Sequence, residues 1–310
     1  MSLNIWRPLL IDRICITTVI GSADLYHQLE VRLYTLNGKQ SEWLPTGKII
    51  VVQKKYSRRL DYYAAYGKSK ASKRKIADIV VGANKLFGGK LWHRYLSLTL
   101  YPSEFKEGEF EHFKSVFDAV FKEITYADLL HSTGKVNYLE LAIDSLTHEH
   151  HSFLPYRKYV KKSNIWKEVE GHLGTTIVGS LKSNQYFRIY DKRKQLLKKG
   201  KKAVDQTLPH TRIEFAARRL NITPSKIIHM KNPFTKLGIT DLDKAQAISG
   251  DKEWLEFIAE SKLSGMPLAL STRPEKREEY LAILDSIQVP WWNPDYVWQD
   301  LPKALARIAP

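Results

Sequence analysis

The chain of 310 residues can bury a large core as one big domain or two, and its hydrophobic content of 43% excludes an intrinsically disordered protein. Its formal net charge of +16 favours a polyanionic partner, either nucleic acid or an anionic membrane surface. The single cysteine, Cys15, excludes an intrachain disulfide framework and a cysteine-based zinc cluster, and it suits a reducing compartment.

Targeting and nucleotide-binding patterns are missing from the sequence. No stretch approaches the ~20 apolar residues that cross a bilayer, and the N-terminus lacks the charged and apolar regions of a signal peptide. We therefore expect a cytoplasmic protein with no membrane partner. Neither a GxGxxG nor a GxxxxGK[ST] phosphate loop is present, which argues against a dinucleotide enzyme or an ATP-driven motor.

The first hundred residues favour β-structure. Stretches rich in β-branched and aromatic residues predict strands, and turn residues such as Asn37-Gly38 and Gly88-Gly89 separate them. The predicted strands are Ile11–Val19, Leu29–Leu36, Lys48–Gln53 and His93–Tyr101.

A strongly basic segment runs from Lys54 to Lys75, with nine basic residues against one acid. Tyr56, Tyr62, Tyr63 and Tyr66 are interleaved with the charges, so the cations would contact phosphates and the rings would stack on unpaired bases. The alternative is a solvated basic loop with its tyrosines in the core. The predicted DNA-binding residues here are Lys54, Lys55, Arg58, Arg59, Lys68, Lys70, Lys73, Arg74 and Lys75.

The middle of the chain alternates between helical and extended patterns. Apolar residues repeat at three- and four-residue spacing between Phe110 and Phe121, which predicts a helix with Ser103 as its N-cap. A buried strand is predicted at Val136–Ser145. A second helix is predicted over about Pro155–Glu170.

A predicted hairpin, "TTIVGSLKSNQYFRIY", turns at Gly179-Ser180, and "HTRIEFAARRL" follows as a strand. Beyond Leu220 the pattern is mostly helical, notably at Asp251–Lys262 and Glu275–Ile287. The fold class predicted is α+β, an antiparallel sheet with helices packed on one face plus a helical C-terminal region. We expect a β-rich half at 1–125, a catalytic half at 126–235 and a helical region at 236–310, or one continuous domain, because no linker marks a boundary.

Three carboxylates are predicted on one side of the sheet. Glu140 and Asp144 lie four residues apart on one strand, and Glu214 alternates with apolar neighbours on another. Such carboxylates repel each other unless a cation lies between them, and oxygen ligands suit Mg²⁺ or Mn²⁺. The alternative is a solvated polar face with Arg188 or Arg212 as the salt-bridge partner.

The histidine-rich stretch "HEHH", His148 to His151, follows that strand closely. Histidines are common metal ligands, but the helical spacing of an HExxH site is missing. The alternative to a metal site is that these histidines are exposed side chains in a turn.

Taken together, "YLELAIDS", "GSLKSNQYFRIYDKRKQ" and "TRIEFAARR" resemble the replication initiation factors of rolling-circle replicons, of the filamentous-phage gene II/X type and their plasmid relatives. Tyr190-Asp191-Lys192 matches the family's Y-x-K motif, and Arg212-Ile213-Glu214 matches its R-x-E motif. Glu140 stands where the family usually has Asp. The resemblance covers about residues 90 to 235.

The resemblance implies a metal-dependent, sequence-specific single-strand endonuclease and strand-transferase. Tyr190 would be the nucleophile, forming a 5′-phosphotyrosine intermediate, with Lys192 beside it and Tyr186 as the competing tyrosine. Glu140, Asp144 and Glu214 would hold the Mg²⁺ or Mn²⁺ ion. The second basic run would hold the strand, and its predicted DNA-binding residues are Arg188, Arg193, Lys194 and Lys198.

The partners implied are DNA, as a single strand or a supercoiled origin, and the host helicase and polymerase. Two alternatives stay open from the sequence. One is a non-catalytic nucleic-acid-binding protein whose acids and tyrosines are structural. The other is a relaxase or transposase that uses the same tyrosine chemistry on a different substrate.

Overall fold

The computed structural model describes residues 7–36, 48–54, 56–66, 68, 73–85, 92–157, 163–167, 173–201, 208–248 and 251–308. The chain folds as two compact units. The N-terminal unit comprises Leu10–Glu140, Arg219–Met230 and Pro302–Pro310, and the C-terminal unit comprises Met1–Leu9, Leu141–Arg218 and Lys231–Leu301. The region boundaries predicted after residues 125 and 235 stay a prediction.

An antiparallel sheet forms the centre of the N-terminal unit. Its elements are β1 (Leu10–Val19), α1 (Ala23–Thr35), β2 (Lys48–Lys54), β3 (Ser57–Tyr66), β4 (Lys73–Lys85), β5 (Trp92–Leu100), α2 (Glu109–Val120), α3 (Tyr126–His131) and the first half of β6 (Lys135–Ser145). The strands follow the order β2-β3-β4-β5-β1, and each neighbouring pair is antiparallel. Strands β1, β2, β5 and β6 confirm four of the strands predicted from the sequence.

The aromatic stripe of α2 is core, as predicted. Phe110, Phe113 and Phe117 are buried on one side of the helix. The ring of Phe113 packs edge-on against Tyr62 of β3, with 5.5 Å between ring centroids. Tyr62 is only 2% exposed, so its predicted role in stacking on bases is wrong.

The predicted N-cap of this helix is also wrong. Helix α2 begins at Glu109, because Gly108 adopts a left-handed conformation (φ 74°) that interrupts the chain just before it. Ser103 instead lies in a short 3₁₀ turn, where its hydroxyl donates to Oδ1 of Asp12 over 2.7 Å.

The strand predicted at Leu29–Leu36 is part of the helix α1. Leu29, Val31 and Leu33 alternate with polar residues, a pattern that fits a strand. In the helix Leu29 and Leu33 are buried, whereas Val31 is 63% exposed. Ser22 caps the helix with its side chain, and this local signal favours the helix.

Strands β3 and β4 occupy much of the basic segment and were not predicted. The side chains of Leu60, Tyr62 and Ala64 are buried at alternate positions of β3, as in a half-buried strand. The charged residues between them hide this alternation in the sequence. Ser57–Tyr66 and the start of β4 are therefore strands and not a solvated loop, while Tyr62 lies in the core as that alternative expected.

The C-terminal unit contains a second antiparallel arrangement and a helical region. Its elements are the second half of β6, β7 (Phe153–Tyr156), β8 (Ser163–Lys167), β9 (Leu173–Val178), β10 (Gln185–Asp191), α4 (Lys192–Lys198), β11 (Thr211–Arg218), β12 (Gly238–Asp241), α5 (Leu242–Ala247), α6 (Lys252–Ser264), α7 (Met266–Ser271), α8 (Arg277–Ser286), α9 (Pro294–Trp298) and the start of α10 (Leu301–Ala306). The strand order is β11-β10-β9-β8, and β7 pairs with β12. The α+β class with a helical C-terminal region is confirmed.

The helix predicted over Pro155–Glu170 is wrong. Strands β7 and β8 occupy its described residues, while 158–162 and 168–170 lie outside the described part of the chain. Phe153 and Leu154, which are adjacent in β7 and so point to opposite faces, are both buried, and the apolar run there belongs to a strand buried on both faces.

The hairpin of β9 and β10 and the strand β11 are confirmed by their antiparallel pairing. In the helical region, Trp254 and Phe257 of α6 pack against Tyr280 of α8, with ring centroids 5.1 and 4.7 Å from it. Within the described residues, no helix has the length and apolar character to cross a membrane.

Candidate active site

The register of β10 and β11 places four polar side chains on one face of the C-terminal unit. Arg188 pairs with Glu214 and Tyr190 pairs with Arg212. Because side chains alternate along a strand, these four share one face. The opposite face is apolar, with Phe187 and Phe215 packed against the same phenylalanine ring, that of Phe234.

Tyr190 and Glu214 form a short hydrogen bond on this face. The Tyr190 hydroxyl donates to Oε1 of Glu214 over 2.5 Å, and the two residues are only 7% and 1% exposed. The second carboxylate oxygen of Glu214 lies 2.5 Å from Nη2 of Arg188. The carboxylate therefore sits between a phenol, whose proton it can accept, and a guanidinium that balances its charge.

Lys192 is held near the same tyrosine by the start of α4. The side chain of Asp191 caps this helix by accepting from the backbone N–H of Lys194 over 3.0 Å. Nζ of Lys192 donates to Oε1 of Gln195 over 2.8 Å and lies 5.8 Å from the centroid of the Tyr190 ring. The Tyr190 hydroxyl also lies 3.5 Å from the Gln195 oxygen. Sequence reasoning did not identify Gln195.

Tyr186, the competing tyrosine, is placed differently. It is buried and pairs with Ala216, on the opposite side of the Arg188–Glu214 pair from Tyr190. The guanidinium of Arg218 lies 5.6 Å from the centroid of its ring. The structure thus joins Tyr190, and not Tyr186, to the Glu214 carboxylate by a hydrogen bond.

Asp144 is bound by Arg212 and approached by His210. Nε and Nη2 of Arg212 donate to its two carboxylate oxygens over 2.6 and 2.8 Å, and Nε2 of His210 lies 3.4 Å from Oδ2. Burial raises the pKa of Asp144, but the hydrogen bonds and charges of Arg212 and His210 outweigh burial and hold that pKa well below its usual range. Asp144 is therefore ionised at neutral pH.

The predicted metal ligands do not form a metal cluster. Both oxygens of Asp144 face Arg212, and the two oxygens of Glu214 face Tyr190 and Arg188. Glu140 is buried at the end of the N-terminal unit. Among the described residues no group of three or more His, Cys, Asp or Glu side chains is arranged to hold a metal ion. The donors as they stand do not fit a shared Mg²⁺ or Mn²⁺ site, and the metal assignment stays a prediction.

The predicted DNA-binding cations differ in their surroundings. Arg74 donates to both carboxylate oxygens of Glu109 and to a backbone carbonyl, and Lys75 lies 3.3 and 3.1 Å from Asp61 and Asp78. Those two cations thus have acidic partners within the fold. The residues Lys54, Lys68 and Lys198 are exposed, while Lys55 and Lys70 lie outside the described residues.

Tyr66 illustrates how cations and rings combine on β3 and its neighbours. Nζ of Lys48 and Nζ of Lys73 lie 5.0 and 4.4 Å from the centroid of its ring, and Tyr63 packs edge-on at 5.0 Å. Tyr56 is exposed, and Tyr63 and Tyr66 are partly exposed. These three rings remain candidates for contact with unpaired bases.

Comparison with known proteins gives little further guidance. No protein family model matches the chain, and no curated protein sequence is similar to it. The solved structure of a rolling-circle replication initiator protein from Geobacillus stearothermophilus aligns with a TM-score of 0.39 and 11% identity, covering 84% of this chain and 98% of that one. Values this low establish neither a common fold nor a common activity.

Proposed function

We propose that this chain is a rolling-circle replication initiator that cleaves one DNA strand with Tyr190 and remains bound to the 5′ side of the break. The observation that carries the proposal is the 2.5 Å hydrogen bond from the Tyr190 hydroxyl to Glu214. A tyrosine that attacks phosphate needs a proton acceptor, because the ordinary pKa of its hydroxyl is about 10. Glu214 is such an acceptor in direct contact.

The proposed reaction is one exchange of phosphodiester bonds. Glu214 accepts the phenolic proton while the Tyr190 oxygen bonds to the scissile phosphorus. The bond from phosphorus to the 3′ oxygen breaks, and that oxygen takes up a proton to become a free 3′-OH. Arg188 and Lys192 place positive charge beside the tyrosine, where the negative charge of the phosphorane would develop.

The covalent intermediate explains why a tyrosine and not water would attack. The phosphotyrosine bond retains the energy of the broken phosphodiester, so attack by a 3′-OH can reseal the strand without ATP. The free 3′-OH is meanwhile a primer for a polymerase. The net charge of +16 suits a protein that holds a polyanionic strand through several phosphates.

A second candidate is a nucleic-acid-binding protein without catalytic activity. The burial of Tyr190 favours it, because a buried tyrosine hydroxyl needs a hydrogen-bond partner whether or not it reacts. Glu214 would then be that partner and nothing more. A relaxase or transposase would use the same step on another substrate.

A covalent adduct test separates the first two functions. Labelled single-stranded oligonucleotides of varied sequence are incubated with the protein and Mg²⁺ or Mn²⁺ and then denatured. We expect an adduct with the wild-type chain and with Tyr186→Phe, and none with Tyr190→Phe, which loses one oxygen and keeps the ring. Mass spectrometry should locate the nucleotide on Tyr190. An adduct on another residue would refute the site, and no adduct with any sequence would favour the binding protein.

A further inference from the structure

A cavity of about 700 Å³ in the C-terminal unit is lined by residues of β7, β12, α8 and α9 and of the segments beside them. We call it the Arg157 cavity, after the arginine that follows β7 and lines it. Leu237, Trp292 and Pro294 give the lining an apolar part. Cavities of ~300–1,000 Å³ with such a lining are typical of small-molecule sites. The described lining includes none of the candidate active-site residues, so the proposed cleavage reaction does not use this cavity.

Two aromatic rings at this cavity are fixed by contacts within the fold. Tyr156 of β7 lies directly opposite Gly238 of β12, and its ring occupies the space that a Cβ on Gly238 would need. The Tyr156 hydroxyl donates to Oδ1 of Asp285. The indole N–H of Trp292 donates to the carbonyl oxygen of Leu237 over 2.8 Å. The cavity is therefore preformed, which lowers the entropic cost of binding a ligand.

Arg157 is a cation whose charge the fold does not balance. It is partly buried, and its side chain makes no hydrogen bond or ion pair within the part of the chain that the structure describes. Burial lowers the pKa of Arg157, whereas hydrogen bonds to carboxylates raise the pKa values of Arg74 and Arg273. Taking a guanidinium partly out of water without a partner costs free energy. An arginine so placed calls for an anion.

The other charges at the cavity leave positive charge in excess. Lys236 adds a second, exposed cation, and its side chain likewise makes no ion pair with a described residue. Asp285 is the only acid among the described residues of the lining, and the Tyr156 hydroxyl bonds to it. Two cations against one acid favour an anionic ligand.

The chemistry of the lining narrows this ligand to one class. The guanidinium of an arginine binds phosphate through two parallel hydrogen bonds, and the net charge of +16 suits a phosphate-rich partner. The apolar side chains of Leu237, Trp292 and Pro294 fit a flat ring of low polarity. A nucleotide carries a phosphate and such a ring in one molecule.

We propose that the Arg157 cavity binds a nucleotide, with its phosphate on Arg157 and Lys236 and its base against Trp292. This site goes beyond the proposed cleavage reaction, because binding needs neither Tyr190 nor a break in the strand. A free mononucleotide and a nucleotide within a single DNA strand offer the same chemistry, so the experiment distinguishes the two sources.

Calorimetric titration of the full-length wild-type protein uses three kinds of probe: the four deoxynucleoside monophosphates, the four deoxynucleosides and inorganic phosphate. We expect at least one monophosphate to bind about tenfold or more tightly than its deoxynucleoside and than phosphate alone, because the charged phosphate and the base each contribute that much. Arg157→Gln should weaken binding of that monophosphate by about tenfold and leave binding of the deoxynucleoside unchanged.

Lys236→Ala provides a second variant, at an exposed position, should thermal unfolding show that Arg157→Gln does not fold. It should also weaken binding of the monophosphate and leave binding of the deoxynucleoside unchanged. Lys231→Ala is the charge-matched control, because Lys231 is exposed and does not line the cavity, and it should bind the monophosphate as the wild type does.

A fluorescent single-stranded oligonucleotide identifies the source of the nucleotide. If the cavity takes a nucleotide of the strand, the monophosphate competes with the oligonucleotide, and Arg157→Gln weakens oligonucleotide binding more than Lys231→Ala does. If the cavity takes a free nucleotide, neither effect occurs, while monophosphate binding still depends on Arg157. Both results support the site.

The proposal is overturned if no monophosphate binds at millimolar concentration or if a deoxynucleoside binds as tightly as its monophosphate. Monophosphate binding that Arg157→Gln and Lys236→Ala both leave unchanged would also overturn it. Adduct formation is measured separately on the wild-type chain. An adduct without monophosphate binding refutes only this inference, and monophosphate binding without an adduct refutes only the nickase.

Discussion

The Tyr190 hydroxyl contacts Glu214 diagonally across the β10–β11 pair. Tyr190 lies directly opposite Arg212, and Glu214 lies directly opposite Arg188, so the short bond joins residues that are two ladder positions apart and on the same face. A shift of the register by one residue would move every one of these side chains to the other face. The site therefore depends on the pairing of the two strands as much as on the residues themselves.

The role of Glu214 as proton acceptor predicts a specific defect in Glu214→Gln. The amide keeps the size of the side chain and an acceptor oxygen but does not take up the proton, so adduct formation should slow by about 10²–10⁴-fold. Binding of the oligonucleotide should change less than twofold. The variant's adduct rate should rise with pH up to about 9, because hydroxide would then ionise the tyrosine, whose ordinary pKa is about 10.

A purely structural role for Glu214 leads to a different result. The variant would then lose stability and activity together, without a steeper pH dependence. Glu256→Gln, at an exposed position of α6, serves as the control and should match the wild type in rate and pH profile.

Much of this fold was predictable because local patterns carry it. Strand β10 is rich in aromatic and β-branched residues, and α2 repeats its phenylalanines at helical spacing. At Leu29, Val31 and Leu33 the hydrophobic pattern fits both the two-residue period of a strand and the 3.6-residue period of a helix. The pattern alone therefore predicted a strand where the chain forms a helix. The outcome there was decided by a capping serine and by which side chains reach the core.

The partners within the site were less predictable than its residues. Arg212 and Asp144 are separated by 68 positions, and which of the carboxylates each arginine would bind depends on strand order and register. No local sequence pattern specifies the strand order or the register. His210 gave no signal at all in the sequence, because its environment consists of residues from several separate stretches of the chain.

Chelation tests the predicted metal requirement. If the carboxylates that the sequence resemblance assigns to an ion do hold one when DNA is bound, adduct formation should fall by a hundredfold or more in EDTA, since a bound divalent ion contributes several kcal/mol of charge stabilisation at a phosphoryl oxygen. Glu140→Ala should have a similar effect on cleavage while oligonucleotide binding stays within twofold. Readdition of Mg²⁺ or Mn²⁺ is the control. Full activity in EDTA would assign the charge stabilisation to Arg188 and Lys192 and would refute the metal prediction.

The Asp144–Arg212 pair predicts how stability depends on pH. Asp144→Asn removes the carboxylate that binds the buried guanidinium of Arg212 through two hydrogen bonds, so at pH 7 it should cost about 3–5 kcal/mol of unfolding free energy. Because the folded state lowers the pKa of Asp144 from an unfolded value of about 4, the contribution of the ionised carboxylate is complete above that pH. It is lost as the pH falls below 4 toward the folded-state pKa.

Urea unfolding at pH 7, 5, 4 and 3 measures this dependence. The gap in unfolding free energy between wild type and Asp144→Asn should be constant from pH 7 to 5 and should narrow below 4. Asp243→Asn, at an exposed position of α5, should differ little from the wild type at every pH. A gap that does not narrow would show that Asp144 acts through packing and not through its charge.

Lys73 and Arg74 are adjacent on β4, but we expect their alanine variants to have different defects, one in DNA binding and the other in stability. Arg74 is bound to Glu109 of α2, and this bond raises its pKa, so Arg74→Ala should lower the unfolding free energy by about 2 kcal/mol. Lys73 lies beside the Tyr66 ring, and no acidic side chain among the described residues forms an ion pair with it. If Lys73 neutralises a DNA phosphate, Lys73→Ala should weaken binding and reduce the slope of log affinity against log salt by about 0.7. Arg74→Ala should keep both affinity and slope.

Titration of one oligonucleotide at four salt concentrations measures the affinity and the slope for both variants. An equal loss of slope in the two would show that the ion pair between Arg74 and Glu109 opens when DNA binds.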